Sequence, residues 1–156
     1  MRLSLIILLS VLVGCGGSLT DEQRKQLKEG SEQQVIRKVS EAEILEEAFK
    51  KGRAIMEELE NAHVSQDSVA VNYAVAVHWL EPGSSDASEI ETQLIEAYLN
   101  SMMLGEELKD NVQRIGNDSL LYTKAVVQEL PDGVVEVKGT WNIRMSKKQL
   151  VLDMDE

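Results

Sequence analysis

The apolar residues recur along the chain with two different periods, and these periods predict helices and strands. Between Leu45 and Leu59 they return every three or four residues, as on one face of an amphipathic helix. The preceding residues 40–43, Ser-Glu-Ala-Glu, have the sequence of a capping box, in which the Ser and Glu side chains bond backbone N–H groups reciprocally. We therefore predict a helix over 40–61.

Residues 68–80 follow the shorter period. Large and small side chains alternate there, and period two with β-branched and aromatic residues is typical of a β-strand. We predict one strand over the whole stretch, ended by the turn-forming residues 81–85. Its large side chains would point to one side: Val69, Val71, Tyr73, Val75, Val77 and Trp79.

A second helix is predicted after this strand. Asp86 or Ser88 can serve as its N-cap, and Gly105 is a natural C-terminal stop. The polar stretch 106–119 is expected to be irregular, with one helical turn at most. The apolar stripe of the helix would be Ile90, Leu94, Ala97, Tyr98 and Met102.

The last third of the chain predicts a β-hairpin. Residues 120–129 are strand-like, Pro131–Gly133 provide a turn, and residues 135–145 alternate between apolar and polar side chains. We expect one face of this hairpin on the core and the other towards solvent. The tail after Ser146 would be a short helix or an edge strand. The order of elements predicts an α+β fold with an antiparallel sheet packed with helices.

The N-terminus follows neither period. A basic residue, Arg2, precedes an apolar run that is too short for a bilayer, which requires about 20 apolar residues. Residues 12–15, Leu-Val-Gly-Cys, match the lipobox of bacterial lipoproteins, in which the cysteine thiol accepts a diacylglycerol. We predict that residues 1–14 are a signal peptide and that Cys15 is lipidated. The alternative is an ordinary signal peptide followed by a coincidental cysteine.

These segments predict three parts: a signal peptide at 1–14, the lipidated Cys15 with a tether and a helical or extended stalk at 15–39, and a folded domain at 40–156. The net charge is −11, and nucleic acid is a poor candidate partner because phosphate binding needs clustered Lys and Arg. Cys15 is the only cysteine. Its lipidation would leave no thiol for a disulfide, a nucleophile or covalent haem.

Four short strings of the folded part resemble one protein family. They are similar to the Tll-type, PAS-like haem-associated domain family, formerly a domain of unknown function, which supplies bacterial envelope sensors and small exported proteins. The resemblance covers roughly residues 40–152 and implies a PAS-like fold. The strings are Ile-Glu-Ala-Tyr at 95–98, Lys-Asp-Asn-Val-Gln at 109–113, Leu-Leu-Tyr-Thr-Lys at 120–124, and Trp-Asn-Ile-Arg-Met-Ser-Lys-Lys at 141–148.

The chain departs from the family where haem-bearing members attach their cofactor. Those members commonly have a proline after the Tyr-Thr-Lys strand, followed by Cys-x-x-Cys-His. This chain has Ala125 and then Val-Val-Gln-Glu-Leu at 126–130. No residue for covalent haem attachment can therefore be carried over, and we expect no bound cofactor.

The resemblance implies a ligand pocket between sheet and helix, and core packing is the alternative role for its two tryptophans. His78 is the candidate ligand for a non-covalent haem or a metal, and an ordinary edge histidine is the alternative. Glu60 and His63 have metal-ligand spacing, but the pair stands alone, and a fraying polar helix end is the favoured interpretation. The pocket walls would be Tyr73, Trp79, Tyr98, Tyr122 and Trp141.

No catalytic motif is present, neither a Gly-rich phosphate loop nor a Gly-x-Ser-x-Gly nucleophile elbow. We therefore predict a non-catalytic envelope lipoprotein that senses or binds a small ligand. Gly16 lacks the acidic retention signal of some inner-membrane lipoproteins, which favours the outer membrane. The alternatives are a structural or protein-interaction lipoprotein without ligand, and a non-covalent haem protein with His78 as ligand.

Overall fold

The computed structural model describes residues 20–26, 38–61 and 64–154. The predicted signal peptide, Cys15 and His63 lie outside the described residues. The chain divides into two compact units, Met1–Lys38 and Val39–Glu156. None of the described helices is long and apolar enough to cross a membrane.

Residues 21–26 of the first unit are helical, and Thr20 and Gln23 cap the N-terminus of this helix. The Thr20 hydroxyl accepts from the Gln23 backbone N–H at 3.3 Å, and the Gln23 side chain accepts from the Thr20 N–H at 3.1 Å. This reciprocal pair has the geometry of a capping box. It begins within the stretch that the sequence predicts to be a helical or extended stalk.

The second unit is an α+β domain with one four-stranded antiparallel sheet, which confirms the predicted fold class at this level. The strand order is β1-β4-β3-β2, so β1 and β2 are the edge strands. The elements in chain order are α1 Glu41–Leu59, α2 Gln66–Tyr73, β1 Ala76–Leu80, α3 Glu89–Met103, β2 Asn111–Ile115, β3 Ser119–Glu129, β4 Val135–Ser146 and α4 Lys147–Asp153.

Helix α1 begins with the predicted capping box. The Ser40 hydroxyl accepts from the Glu43 backbone N–H at 3.2 Å, and the Glu43 carboxylate accepts from the Ser40 N–H at 2.8 Å. The predicted helix over 40–61 is confirmed, with its buried stripe at Ile44, Ala48, Gly52, Ile55 and Met56.

Gly52 sets how closely α1 approaches the sheet. A Cβ at this position would lie 2.3 Å from Cδ2 of Tyr122 on β3, so the helix can pass over the tyrosine ring only with glycine here. The hydrophobic core on this side also receives α2, β1, β4 and α4. Its buried members are Ile44, Ala48, Ile55, Met56, Val69, Val77, Leu120, Tyr122, Ile143, Met145 and Leu150.

Helix α3 lies on the sheet, and it contacts β3 and β4. It starts after Ser88 as predicted, where the Glu91 carboxylate accepts from the Ser88 N–H at 2.8 Å. Gly105 follows its C-terminus with φ 72°. The stripe differs from the predicted one: Leu94 and Tyr98 are buried, whereas Ala97 is exposed. The buried residues are Glu91, Leu94, Ile95 and Tyr98.

The prediction that one face of the hairpin meets solvent holds only towards the ends of β4, where Lys138 and Arg144 are exposed. Thr140 and Asn142, on the polar side of β4, are buried with exposures of 0% and 1%. Asn142 donates two hydrogen bonds to Thr140, at 2.8 Å to its hydroxyl and 3.2 Å to its carbonyl oxygen. The side chains therefore tolerate burial because their polar atoms are paired.

The single strand predicted over 68–80 is also wrong. Residues Gln66–Tyr73 form α2, and only Ala76–Leu80 pair with β4. Ala76 lies opposite Arg144, and β4 ends at Ser146, so a longer β1 would run out of partner after two residues. A helix satisfies the backbone of the remaining residues internally.

Between residue 106 and the C-terminus, the structure differs from the prediction at one element and agrees with it at two. The stretch predicted to be irregular, 106–119, contains the edge strand β2, which pairs with β3. The turn at Pro131–Gly133 is confirmed: Gly133 has φ 81°, and the Asp132 carboxylate accepts from the Val134 N–H at 3.2 Å. The tail forms a helix, α4, which is one of the two predicted outcomes.

We expect Ala74→Gly to raise the free energy of unfolding by about 0.5–1 kcal/mol. Ala74 ends α2 with φ 52° and ψ 48°, a left-handed conformation that strains every residue with a Cβ. Denaturant unfolding of the full chain measures the change. Ala76→Gly in strand β1 is the matched control and should be destabilising. An Ala74→Gly chain less stable than wild type would contradict this assignment of strain.

Candidate functional site

A row of polar residues crosses the whole sheet on the side of α3, with one residue from each strand. His78 on β1 pairs with Asn142 on β4, Asn142 pairs with Thr123 on β3, and Thr123 pairs with Asn111 on β2. Residues directly opposite each other in an antiparallel sheet project from the same face. The four side chains therefore form one transverse line, which we call the polar row.

The centre of the polar row is buried and hydrogen-bonded. The Thr123 hydroxyl donates to the Asn142 side-chain oxygen at 3.0 Å, and the Asn142 amide donates to Thr140. On the side of the sheet that α3 covers, the hydroxyl of Tyr98 in α3 donates to the Thr123 carbonyl oxygen at 3.0 Å. Burial raises the pKa of Tyr98 to about 12, so this phenol stays protonated and remains a donor at physiological pH.

The β2 end of the polar row opens into a cavity of about 230 Å³, which we call the Asn111 pocket. It lies between α3 and the loop that precedes β2. The Oδ1 atom of Asn111 is buried and has no hydrogen-bond donor among the described residues. The pocket is lined by Leu94, Ala97, Tyr98, Ser101, Glu107, Leu108, Lys109 and Asn111.

An unpaired buried acceptor is costly. Leaving one without a donor costs about 1–3 kcal/mol relative to a satisfied group. Buried polar atoms of this kind are rare in native proteins, and each needs a specific explanation. One other described side-chain atom shares this property, Glu58 Oε2. Glu58 lies outside the lining of the Asn111 pocket. Among the described residues that line the pocket, Asn111 is therefore the one with an unpaired buried acceptor.

The β1 end of the polar row is different, because His78 is exposed at the edge of the sheet. A haem or metal ligand at this position would need further ligands nearby. Within the described ranges, no three His, Cys, Asp or Glu side chains lie together as a metal site. The geometry therefore gives His78 no coordination partners from this part of the chain.

The opposite face of the sheet carries a second cavity, of about 430 Å³, beside Tyr122. Most of its charged groups are already paired. Arg53 donates to both oxygens of Asp110, at 2.7 and 3.1 Å, and Lys124 donates to Glu60 at 2.6 Å. The Tyr122 hydroxyl also donates to Asp110, at 3.1 Å. This groove thus has an internal ion-pair structure and no unpaired buried atom among its described lining residues.

These contacts shift the acidity of the groups in the groove. The guanidinium of Arg53, hydrogen-bonded to Asp110, holds the pKa of that carboxyl group below its usual value, although burial acts in the opposite direction. Burial, followed by the negative charge of Asp110, raises the pKa of Tyr122. Asp110 is therefore a carboxylate and Tyr122 a neutral donor across the physiological range.

The five aromatic residues predicted to line one pocket do not come together. Trp79 and Trp141 stack edge to face, with ring centroids 5.1 Å apart, and Trp141 packs against the core. Tyr122 lines the groove on the α1 side and Tyr98 lines the Asn111 pocket on the other side. Tyr73, at the end of α2, borders a separate groove between α1 and α4. Only Tyr98 belongs to the polar side of the sheet.

Sequence patterns missed the central members of this site. Thr123 and Asn111 are ordinary polar residues, and their significance depends on strand register. Asn142 had a usable signal, because it alternates with apolar residues and so must face away from the α1 core. Asn111 had none, since β2 itself was not predicted.

Comparison with known proteins does not assign the chain to a family: no protein-family model, no curated protein and no solved structure matches it. The resemblance drawn from its short strings therefore stays a prediction.

We expect Asp110→Asn to lower stability at neutral pH and the loss to shrink in acid. The folded-state pKa of Asp110 is depressed, so its contribution is complete above the unfolded value of about 3.9 and disappears as the pH falls through the folded value. Urea unfolding of both chains from neutral to acidic pH measures this gap. Asp118→Asn, at an exposed turn, is the control. A gap that stays constant into acid would contradict the ion-pair assignment.

Proposed function

We propose that this chain is a bacterial lipoprotein, anchored through Cys15, whose PAS-like domain binds a small ligand without catalysing a reaction. The anchor rests on the lipobox at residues 12–15, which follows a basic residue and a short apolar run. Stable attachment needs more than one acyl chain, as a lipidated cysteine provides. We place the domain in the cell envelope, with the outer membrane favoured because of Gly16.

The observation that carries the binding role is the Asn111 pocket, a concavity of about 230 Å³ whose lining includes Asn111, a residue with a buried unpaired acceptor. The pocket lies between helix and sheet, the region that the PAS-like resemblance implies for a ligand. Tyr98 and Thr123 fix its inner wall through their hydrogen bond. A preformed concave site with a few oriented polar atoms is typical of small-molecule sites.

The chemistry of the Asn111 pocket supports binding rather than catalysis. The phenol of Tyr98 is held neutral, and its proton is already directed at a backbone carbonyl oxygen. The charged residues of the lining, Glu107 and Lys109, are exposed and pair with each other at 3.7 Å. General acid–base chemistry needs a titratable group within reach of the substrate and with a pKa near the working pH. The inner wall offers hydrogen bonding and apolar contact instead.

A second candidate function is protein interaction without a ligand. The C-terminal end of α3 exposes two adjacent apolar side chains, Met103 at 77% and Leu104 at 75%. Met103, together with Leu99 and Met102, borders a shallow and mainly apolar groove. Exposed apolar patches mark interaction surfaces when they are contiguous. The third possibility, non-covalent haem on His78, has no structural observation in its favour.

Native mass spectrometry of the full chain, extracted in mild detergent from a bacterial membrane, tests both halves of the proposal. We expect a polypeptide that starts at Cys15 and carries acyl chains, with a non-covalent small-molecule adduct. Cys15→Ser should lose the acyl mass and keep the adduct. Asn111→Leu should keep the acyl mass and lose the adduct.

Two results would count against this assignment. A wild-type chain with residues 1–14 still attached would contradict the lipoprotein proposal. A wild-type chain with no adduct, or an adduct unaffected by Asn111→Leu, would contradict ligand binding in the Asn111 pocket and favour protein interaction through α3. Asn100→Leu makes the same chemical change on the exposed face of α3, and it controls for indirect effects of the substitution.

A further inference from the structure

We propose that the outer face of α3 is a docking surface for a basic amphipathic helix of a partner protein. The surface includes the shallow groove that Met103 borders, which we call the Met103 groove. This inference goes beyond the small-ligand pocket and gives the second candidate function a partner of defined chemistry. The groove is lined by Glu96, Leu99, Asn100, Met102 and Met103.

The Met103 groove lies on the side of α3 that faces away from the sheet. The side chains that α3 buries recur at three- and four-residue steps and end at Tyr98. Glu96, Leu99 and Met103 follow the same steps on the opposite side, because each residue of a helix advances by about 100°. Met103 is 77% exposed, and the next residue, Leu104, is 75% exposed. Large apolar side chains at this exposure are stabilised when another apolar surface covers them.

The chain around the Met103 groove is acidic. Residues 81–108, which contain α3 and most of its flanking loops, include seven Asp or Glu and no Lys, Arg or His, so they carry −7 of the net charge of −11. Glu96 is exposed in the groove itself. The exposed Glu106 accepts a hydrogen bond from Ser101 of α3 at 3.0 Å. An apolar surface with negative charges at its rim is complementary to an apolar surface with positive charges at its rim.

The spacing of the exposed side chains favours a helix as the partner element. Residues at three- and four-residue steps form ridges on a helix, and a second helix packs its side chains into the grooves between such ridges. Methionine is flexible and polarisable, so Met102 and Met103 adapt to the shape of an incoming apolar face. Few apolar side chains take part, and we therefore expect a weak and transient complex.

The same charges disfavour two other occupants of the groove. A two-fold contact joins the same surface on both copies of a chain, so a second copy would bring the acidic rim against its own sign. Anionic lipids at a membrane surface would repel the rim for the same reason. The apolar contact is common to all three occupants, whereas only a basic partner also gains from the charges.

Two short synthetic helical peptides with the same leucine stripe test the proposal, because one has lysine and the other glutamate at its remaining positions. Fluorescence anisotropy measures their binding to the full chain carrying Cys15→Ser, which removes the proposed acyl chains and the need for detergent. We expect a dissociation constant in the micromolar range for the lysine peptide, and binding about tenfold weaker or less for the glutamate peptide. Added salt should weaken binding of the lysine peptide, since it screens exposed charges.

Substitutions locate the site and separate its apolar part from its charges. Met103→Gln should lower the affinity for the lysine peptide about tenfold through lost apolar contact. Val127→Gln, at a side chain 49% exposed on β3 and outside the groove, is the matched control and should leave the affinity unchanged. Glu96→Gln should lower the affinity about threefold and reduce its salt dependence. Glu129→Gln, at an exposed acid of β3, is the control for the charge.

Four results would overturn the proposal. They are no binding of the lysine peptide, equal binding of both peptides, binding that survives Met103→Gln, and a competing occupant. Sedimentation velocity detects a second copy as a dimer that Met103→Gln dissociates, and flotation with phosphatidylcholine vesicles detects a membrane as binding that Met103→Gln abolishes. The linings of the Met103 groove and the Asn111 pocket share no residue, so each of these results leaves the small-ligand proposal unaffected.

Discussion

The hydrogen bond between Thr123 and Asn142 is the interaction on which the arrangement of the domain depends. Because these buried polar atoms satisfy each other, α3 can cover a face of the sheet that would otherwise have to meet solvent. Tyr98 then attaches the helix to this face through the Thr123 carbonyl oxygen. The position of α3 creates the space beside Asn111, where the row of paired polar groups ends with an unpaired one.

On the other face of the sheet, the position of α1 is determined by a steric contact rather than by paired polar groups. Gly52 lets α1 pass over the ring of Tyr122, and the hydroxyl of that ring reaches Asp110 at the start of β2. Arg53, the next residue of α1, holds the same carboxylate. The loop before β2 is therefore bonded to α1. Residues 107–109 of this loop line both the cavity of about 430 Å³ beside Tyr122 and the Asn111 pocket. Contacts on one face thus position a wall of the site on the other.

Short sequence motifs correctly predicted those elements whose structure depends mainly on neighbouring residues. The capping box at Ser40, the N-cap at Ser88 (one of two predicted candidates) and the turn at Pro131–Gly133 lie within a few residues of the structure they specify. Helix α2 could not be predicted in this way, because its residues alternate in size like those of a strand. A strand does not form there because β4 ends at Ser146 and offers no further pairing partner. The polar row could not be predicted either, since it depends on the register of four strands distant in sequence. The predicted lipidation of Cys15 is independent of the fold.

The central claim is that a small ligand binds in the Asn111 pocket, between α3 and the sheet. A high-resolution crystal structure of the full chain, purified from the bacterial cells that produce it, tests this claim most directly. The account predicts a non-protein molecule in the Asn111 pocket, in contact with Asn111 and Tyr98. A pocket filled by Leu108, with no such molecule, would contradict it.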